Sequence, residues 1–268
     1  MQKHRGLQAA LATAIACLLI SGAPAGAADD GPAVKLRAEL GRDTILKGTK
    51  DRVYLRIDLA GLVHARPPAR PPVNVAIALD RSGPMKGAKI AQAKEAAINA
   101  MRRLARHDVV SVAYDHLNVS VIVLAHGIEQ LAEYLDRKYV NRVILLSDGL
   151  ANVGPRSPRA IGELAAEQGI SITTIGLGLG YNEDLMAKLA FASDGNHAFV
   201  EHAGDLAEIF DREFGDVLSV VAQDVEVTIT CHVGIRPIRV LGRKVKVSGG
   251  SVKVRLNQLY ARQKKYLI

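Results

Sequence analysis

The sequence predicts an α/β protein, a mostly parallel β-sheet with helices on both faces, inserted into a flanking antiparallel β-sandwich-like unit. Three observations predict it. Two short runs, Val75-Ala76-Ile77-Ala78-Leu79 and Val143-Ile144-Leu145-Leu146, are continuously apolar, as strands covered on both faces are. Around them apolar residues recur at helical spacing, so strands and helices alternate through the middle of the chain. Toward both ends the period changes to two, the mark of half-buried antiparallel strands.

The chain has 268 residues, 49% hydrophobic and 23% charged, a globular composition that excludes disordered, collagenous and disulfide-scaffold classes. With no Trp and four Phe, a stacking platform for single-stranded nucleic acid is not expected. Residues 1–27 read as a secretory leader. Lys3 and Arg5 open it, an apolar run from Leu7 to Ile20 follows, and Ala25-Gly26-Ala27 supplies small residues for cleavage before Asp29-Asp30. The expected location is therefore outside the cytoplasm, periplasmic or extracellular, with no transmembrane segment in the mature chain. Loss of the leader would remove Cys17 and leave Cys231. That residue lies in phase with Val225, Val227 and Ile229 and is expected to be buried and unpaired.

Residues 33–66 form the first β segment, in which Val53, Leu55, Ile57 and Leu59 alternate with polar residues. The stiff connector Pro67-Pro68-Ala69-Arg70-Pro71-Pro72 leads into the α/β domain, expected over 73–222. There the spacing of Ile90, Ala93, Ala97, Met101 and Leu104 predicts a helix over about 87–106. Strands follow near 109–114 and 119–124, a helix near 128–138, and the Val143–Leu146 strand. Helix 158–168, strand 171–177, helix 183–192, a short strand near 198–200 and helix 204–220 complete the domain. The second β segment, 223–268, is read as strands at 225–233, 238–247 and 252–256, with Gly249-Gly250 as a turn.

The net charge of +8 is uneven. Residues 28–230 carry 23 basic and 27 acidic side chains, whereas residues 231–268 carry ten basic and none acidic. The tail charges alternate with apolar residues, so a solvated sheet face accounts for them without an anionic polymer as partner.

In open parallel sheets, ligands bind beyond the carboxyl ends of the strands. Asp80 ends the first apolar strand and Asp148 follows the second through Ser147. Together with the Ser82 hydroxyl they are the candidate ligands of a hard cation such as Mg2+. The run Gly176-Leu177-Gly178-Leu179-Gly180 lacks the spacing of a dinucleotide fingerprint and reads as a tight strand-to-helix loop. The eight histidines include no pair at zinc-binding spacing on one helix, and no Gly-x-Ser-x-Gly elbow is present.

Three stretches carry a family resemblance: VNVAIALDRSGPMKGAKIAQAKEAA (73–97), NRVILLSDGLANVGP (141–155) and IGLGLGYNEDLMAKLA (175–190). They resemble bacterial secreted von Willebrand factor type A domain proteins, and are similar in particular to inter-alpha-trypsin inhibitor heavy-chain-like proteins. The resemblance implies a Rossmann-like fold, a metal-ion-dependent adhesion site, and work by protein–protein contact rather than catalysis. Its partner would be a protein ligand or an envelope component. Asp80 and Ser82 match the first loop of that site and Asp148 matches the third. Pro84 stands where a second serine is usual. Only 17 residues separate Leu124 from Arg142, too few for the usual threonine loop, and no threonine occurs between Lys50 and Ile172. The implied site is thus degenerate, with Mg2+ held weakly. Two alternatives share these residues, an Mg-dependent phosphoryl-transfer enzyme with Asp80 as nucleophile and a metal-free structural scaffold of the same fold. The first would need a phosphate-anchoring lysine and a second acid beside Asp80, but position 82 is serine and Arg81 would point differently.

Overall fold

The computed structural model describes residues 32–42, 44, 50–63, 70–80, 85–115, 120–148, 157–232, 234–243, 245 and 247–268. The expected leader and most of the Pro-rich connector lie outside them.

The apolar runs form the centre of a five-stranded sheet. Its strands are β3 (Val73–Asp80), β4 (Val109–Asp115), β5 (Val140–Ser147), β6 (Ser171–Leu177) and β7 (His197–Val200), in the order β4-β3-β5-β6-β7. Every neighbouring pair is parallel, so each connection crosses over, and the intervening helices cover both faces. On one face Val75, Ile77 and Leu79 meet Ala93 and Ala97 of α1 (Ala88–Met101) and Phe210 and Phe214 of α5 (Leu206–Val217). On the other, Ala76, Ala78, Val143 and Leu145 meet α2 (Ser120–Ala132), α3 (Pro158–Glu167) and α4 (Glu183–Ala192) through Leu124, Leu131, Ala165, Leu185 and Leu189. All eight residues of β3 and of β5 are buried, which is why these strands read as unbroken apolar runs.

The expected strand at 119–124 and helix at 128–138 are replaced by the single helix α2. Local preference favours a strand there, since Val119, Val121, Ile122 and Val123 are β-branched. Leu124, Gly127, Ile128 and Leu131, however, sit at helical spacing and cover the sheet. Gly127 allows a close approach, because a Cβ there would lie 3.3 Å from Val143 Cγ1. The parallel step from β4 to β5 requires a crossover, and burial of this face outweighs propensity. The other helices and strands of the domain fall within a few residues of expectation. α1 ends at Met101 rather than near 106, and α5 gives way to a strand at Val220.

The flanking segments form two three-stranded antiparallel sheets. One joins β1 (Val34–Leu40), β2 (Leu55–Gly61) and β11 (Lys264–Leu267) in the order β1-β2-β11. The other joins β8 (Val220–Thr230), β9 (Val247–Ser248) and β10 (Ser251–Tyr260) in the order β8-β10-β9. They share a core of Ile57, Leu59, Val225, Val227, Val252, Val254, Leu256 and Leu267, the sandwich expected from the period-two segments. Of the expected strand at 238–247, the described residues form only the bridge between Val240 and Arg243 and the first residue of the two-residue β9. Pro237 lacks a donor, and Gly242 turns the chain at φ 75° directly over the Phe191 ring.

Cys231 departs from expectation. It lies just past β8, its N–H donates to Gly250 O at 2.9 Å, and its side chain is half-buried rather than buried. Burial pushes its thiol pKa up. In a Cys17→Ser chain, labelling of Cys231 by a small maleimide is therefore expected to be slower than in the denatured chain, yet to reach completion without unfolding. A native-state rate that rises with low denaturant would show that the thiol is reached only by opening.

Two buried polar clusters join the sandwich to the α/β domain. α4 ends in a Schellman motif, in which Asp194 N–H bonds Phe191 O and Gly195 N–H bonds Ala190 O. The left-handed position, usually glycine, is Asp194 at φ 61°. Its carboxylate accepts from Arg243 Nη2 at 2.9 Å and from Asn257 N–H at 2.8 Å, and pairs with Lys265 Nζ at 2.7 Å. Arg142, fully buried in β5, donates to Thr173 Oγ1 at 2.9 Å and to Gln258 Oε1 at 3.0 Å, and lies 4.9 Å from the Tyr260 ring centre. Burial pulls its pKa down to about 10, so it stays charged at neutral pH.

Candidate functional site

The first strand of the domain, β3, connects through α1 to β4 on one side, while β5 lies on its other side. The chain direction across the sheet therefore reverses between β3 and β5. Such a switch point opens a crevice at the carboxyl ends of its two strands. Leu79 is in register with Leu146, which sets Asp80 beside Ser147 and places Asp148 one residue further out. Asp80 is 2% exposed and Asp148 6%. The Ser147 hydroxyl donates to Asp80 Oδ2 at 2.6 Å and so fixes that carboxylate at the rim.

The Asp148 carboxylate is divided between two environments. Oδ2 accepts from Lys89 Nζ at 2.6 Å, whereas Oδ1 is buried and has no hydrogen-bond partner among the described residues. Burial raises the Asp148 carboxyl above its ordinary pKa and the nearby Asp80 adds to this, while Lys89 opposes it. Lys89 stands in the first turn of α1, and a Cβ on Gly178, at the end of β6, would lie 3.7 Å from its Nζ. The ammonium thus sits over the edge of the sheet between the ends of β5 and β6.

The structure brings together two of the three expected ligands. Ser82, with Arg81 and Pro84, lies outside the described residues. Lys89 was not anticipated, although a signal was present. A lysine in the first turn of a helix opposes the helix dipole, and α1 has no acidic residue there to offset it.

The donor set fits a tightly held divalent cation poorly. An orphaned, buried Asp148 Oδ1 beside a second carboxylate suits a hard cation. The other Asp148 oxygen, however, is already held by an ammonium, and Asp80, Asp148 and Lys89 together carry one net negative charge. Among the described residues no three His, Cys, Asp or Glu side chains converge on a common point.

The glycine-rich loop after β6 serves packing. A Cβ on Gly176 would lie 2.2 Å from the Tyr181 ring, and Gly178 turns at φ 82°. Tyr181 stacks on Phe199, and its hydroxyl is 3.1 Å from His197 Nε2, whose Nδ1 is 2.9 Å from Thr174 Oγ1. Both ring nitrogens of His197 are therefore engaged within the fold.

A doubly wound α/β domain with a carboxylate pair at its switch point defines a class of ligand-binding modules rather than one chemistry. No family model matches the chain. It is 31% identical over 94 residues to the uncharacterized protein YfbK of Escherichia coli, covering 34% of this chain and 16% of that protein. It is 24% identical over 238 residues to the uncharacterized protein sll0103 of Synechocystis, covering 74% of this chain and 57% of that one. The chain thus spans less than two thirds of either relative. Among solved structures, von Willebrand factor type A from Catenulispora acidiphila superposes with a TM-score of 0.62 at 14% identity, covering 94% of this chain and 66% of that one. The chain has the von Willebrand factor type A fold, as its motifs implied.

Among the described residues, no helix is long and apolar enough to cross a membrane.

Proposed function

We propose that this chain is a secreted or periplasmic protein-interaction module of the von Willebrand type A class, with a degenerate metal-ion-dependent adhesion site formed by Asp80, Ser82 and Asp148. One observation carries the reading, the convergence of Asp80 and Asp148 at the switch point with an Asp148 oxygen left unpartnered. A fixed, nearly buried carboxylate pair at the switch point, with the half-exposed Lys89 beside it, marks the edge where a partner's polar group would be met. The charged start, apolar run and small residues of 1–27 support export, and the motifs at 73–97 and 141–155 support the likeness to inter-alpha-trypsin inhibitor heavy-chain-like proteins.

The test is capture of envelope proteins on the immobilised chain, with Asp80→Asn and Asp148→Asn as controls whose folding is checked by circular dichroism. The expected result is a discrete partner retained by the native chain and lost with either variant. Equal retention by all three would remove the carboxylate rim from the reading. Hydrolysis of a phosphate monoester by the native chain, lost in Asp80→Asn, would replace it with the phosphoryl-transfer alternative.

A further inference from the structure

We infer that Lys89 is a tethered substitute for a divalent cation at this edge: its ammonium neutralises Asp148 and holds the oxygen that a metal would otherwise engage. This occupation of Asp148 rests on geometry and is independent of the interaction-module reading.

Two features converge on it. The Lys89 ammonium lies 2.6 Å from Asp148 Oδ2, and the Asp148 side chain is fully buried. The lysine enters from the first turn of α1, the end of a helix where a cation is disfavoured, so an attraction stronger than the dipole holds it there. The Lys89 side chain remains 38% exposed, so donors not used by Asp148 are reachable from solvent. An ammonium carries three donors and one charge, and each donor can meet a carboxylate oxygen directly. A divalent cation at the same edge would have to displace or repel that charge.

The experiment titrates Mg2+ alone and reads the melting temperature, with Mn2+ binding by electron paramagnetic resonance as a second readout. The native chain is expected to shift by less than about 1 °C at about 10 mM Mg2+. Lys89→Gln removes the charge, with a polar side chain one bond shorter. It is expected to tighten Mg2+ by about tenfold or more, and the added Asp148→Asn should cancel that gain. Lys89→Arg keeps the charge and should behave as the native chain does. Submillimolar Mg2+ binding by the native chain, or no gain in a folded Lys89→Gln, overturns the inference.

Should Lys89→Gln fail to fold, 15N-lysine spectra of the native chain decide. A slowly exchanging Lys89 ammonium, lost in Asp148→Asn and unmoved by Mg2+, is the expected result; release by Mg2+ is the overturning one. These measurements involve no partner, so a failure to capture one would count against the interaction reading and not against the cation substitution.

Discussion

Replacing Asp194 by alanine is expected to cost about 3–5 kcal/mol of folding stability, the range for removing one member of a buried ion pair. The loss would exceed that of one hydrogen bond because two cations depend on this carboxylate. Lys265 and Arg243 are 12% and 22% exposed in their side chains and both contact Asp194. The Asn257 N–H would lose its acceptor as well. Asn at this position tolerates the left-handed backbone and keeps one acceptor, so Asp194→Asn should cost less than Asp194→Ala. Asp194→Gly would relieve the backbone but forfeit the carboxylate, and should still be clearly destabilised. Urea midpoints rank the three. Burial alone would raise the Asp194 carboxyl, but Lys265 and Arg243 hold its pKa below the ordinary value. Its contribution is therefore complete above the unfolded-state pKa of about 4 and lost as pH falls through the lower folded value. The gap between the native chain and Asp194→Ala should narrow on acidification below that point. A gap independent of pH would show that the ion pairs are not its source.

The second large effect concerns Arg142. Arg142→Ala is expected to destabilise by about 3–5 kcal/mol, through a cavity under Tyr260 and the loss of the guanidinium that Gln258 and Thr173 meet. Glu213 and Asp216 would also lose a nearby positive charge. Asp216 is already raised by burial and by Glu213, with Arg142 opposing both. Arg142→Met fills much of the volume without a buried charge, and should lose clearly less than Arg142→Ala. If the two variants are equally unstable in urea, the guanidinium contacts matter more than the volume. If Arg142→Ala loses under about 1 kcal/mol, the junction does not depend on this residue.

The parallel sheet and the place of its carboxylates were legible because burial on both faces writes an unbroken apolar run into β3 and β5. Whatever follows such a run stands at the rim, which located Asp80 and Asp148. The sandwich was legible from its period of two. α2 was not, because its β-branched start follows local preference while its fold follows a long-range demand to cover Val143 and Ala78. Lys89 was hidden because its partner lies 59 residues away. Arg142 and Gln258 are 116 residues apart. The visible hint was an arginine inside a run of buried residues, and at Asp194 an aspartate before the Gly195 that closes a helix. Each marks a residue whose local cost is offset by a distant contact.

The arrangement of β1, β2 and β11 governs how the molecule would bear tension. β2 lies in the middle and both neighbours run antiparallel to it, so β1 and β11 point the same way. Val34 faces Gly61 at one end of β2, and Leu267 faces Ile57 toward the other. A pull between Val34 and Leu267 draws the two outer strands in opposite directions along β2. The interstrand hydrogen bonds lie across the pull, so they are strained together in shear rather than opened one after another. The α/β domain hangs from this three-stranded clamp outside a pull applied between Val34 and Leu267, so such a pull would leave the edge with Asp80, Lys89 and Asp148 unloaded.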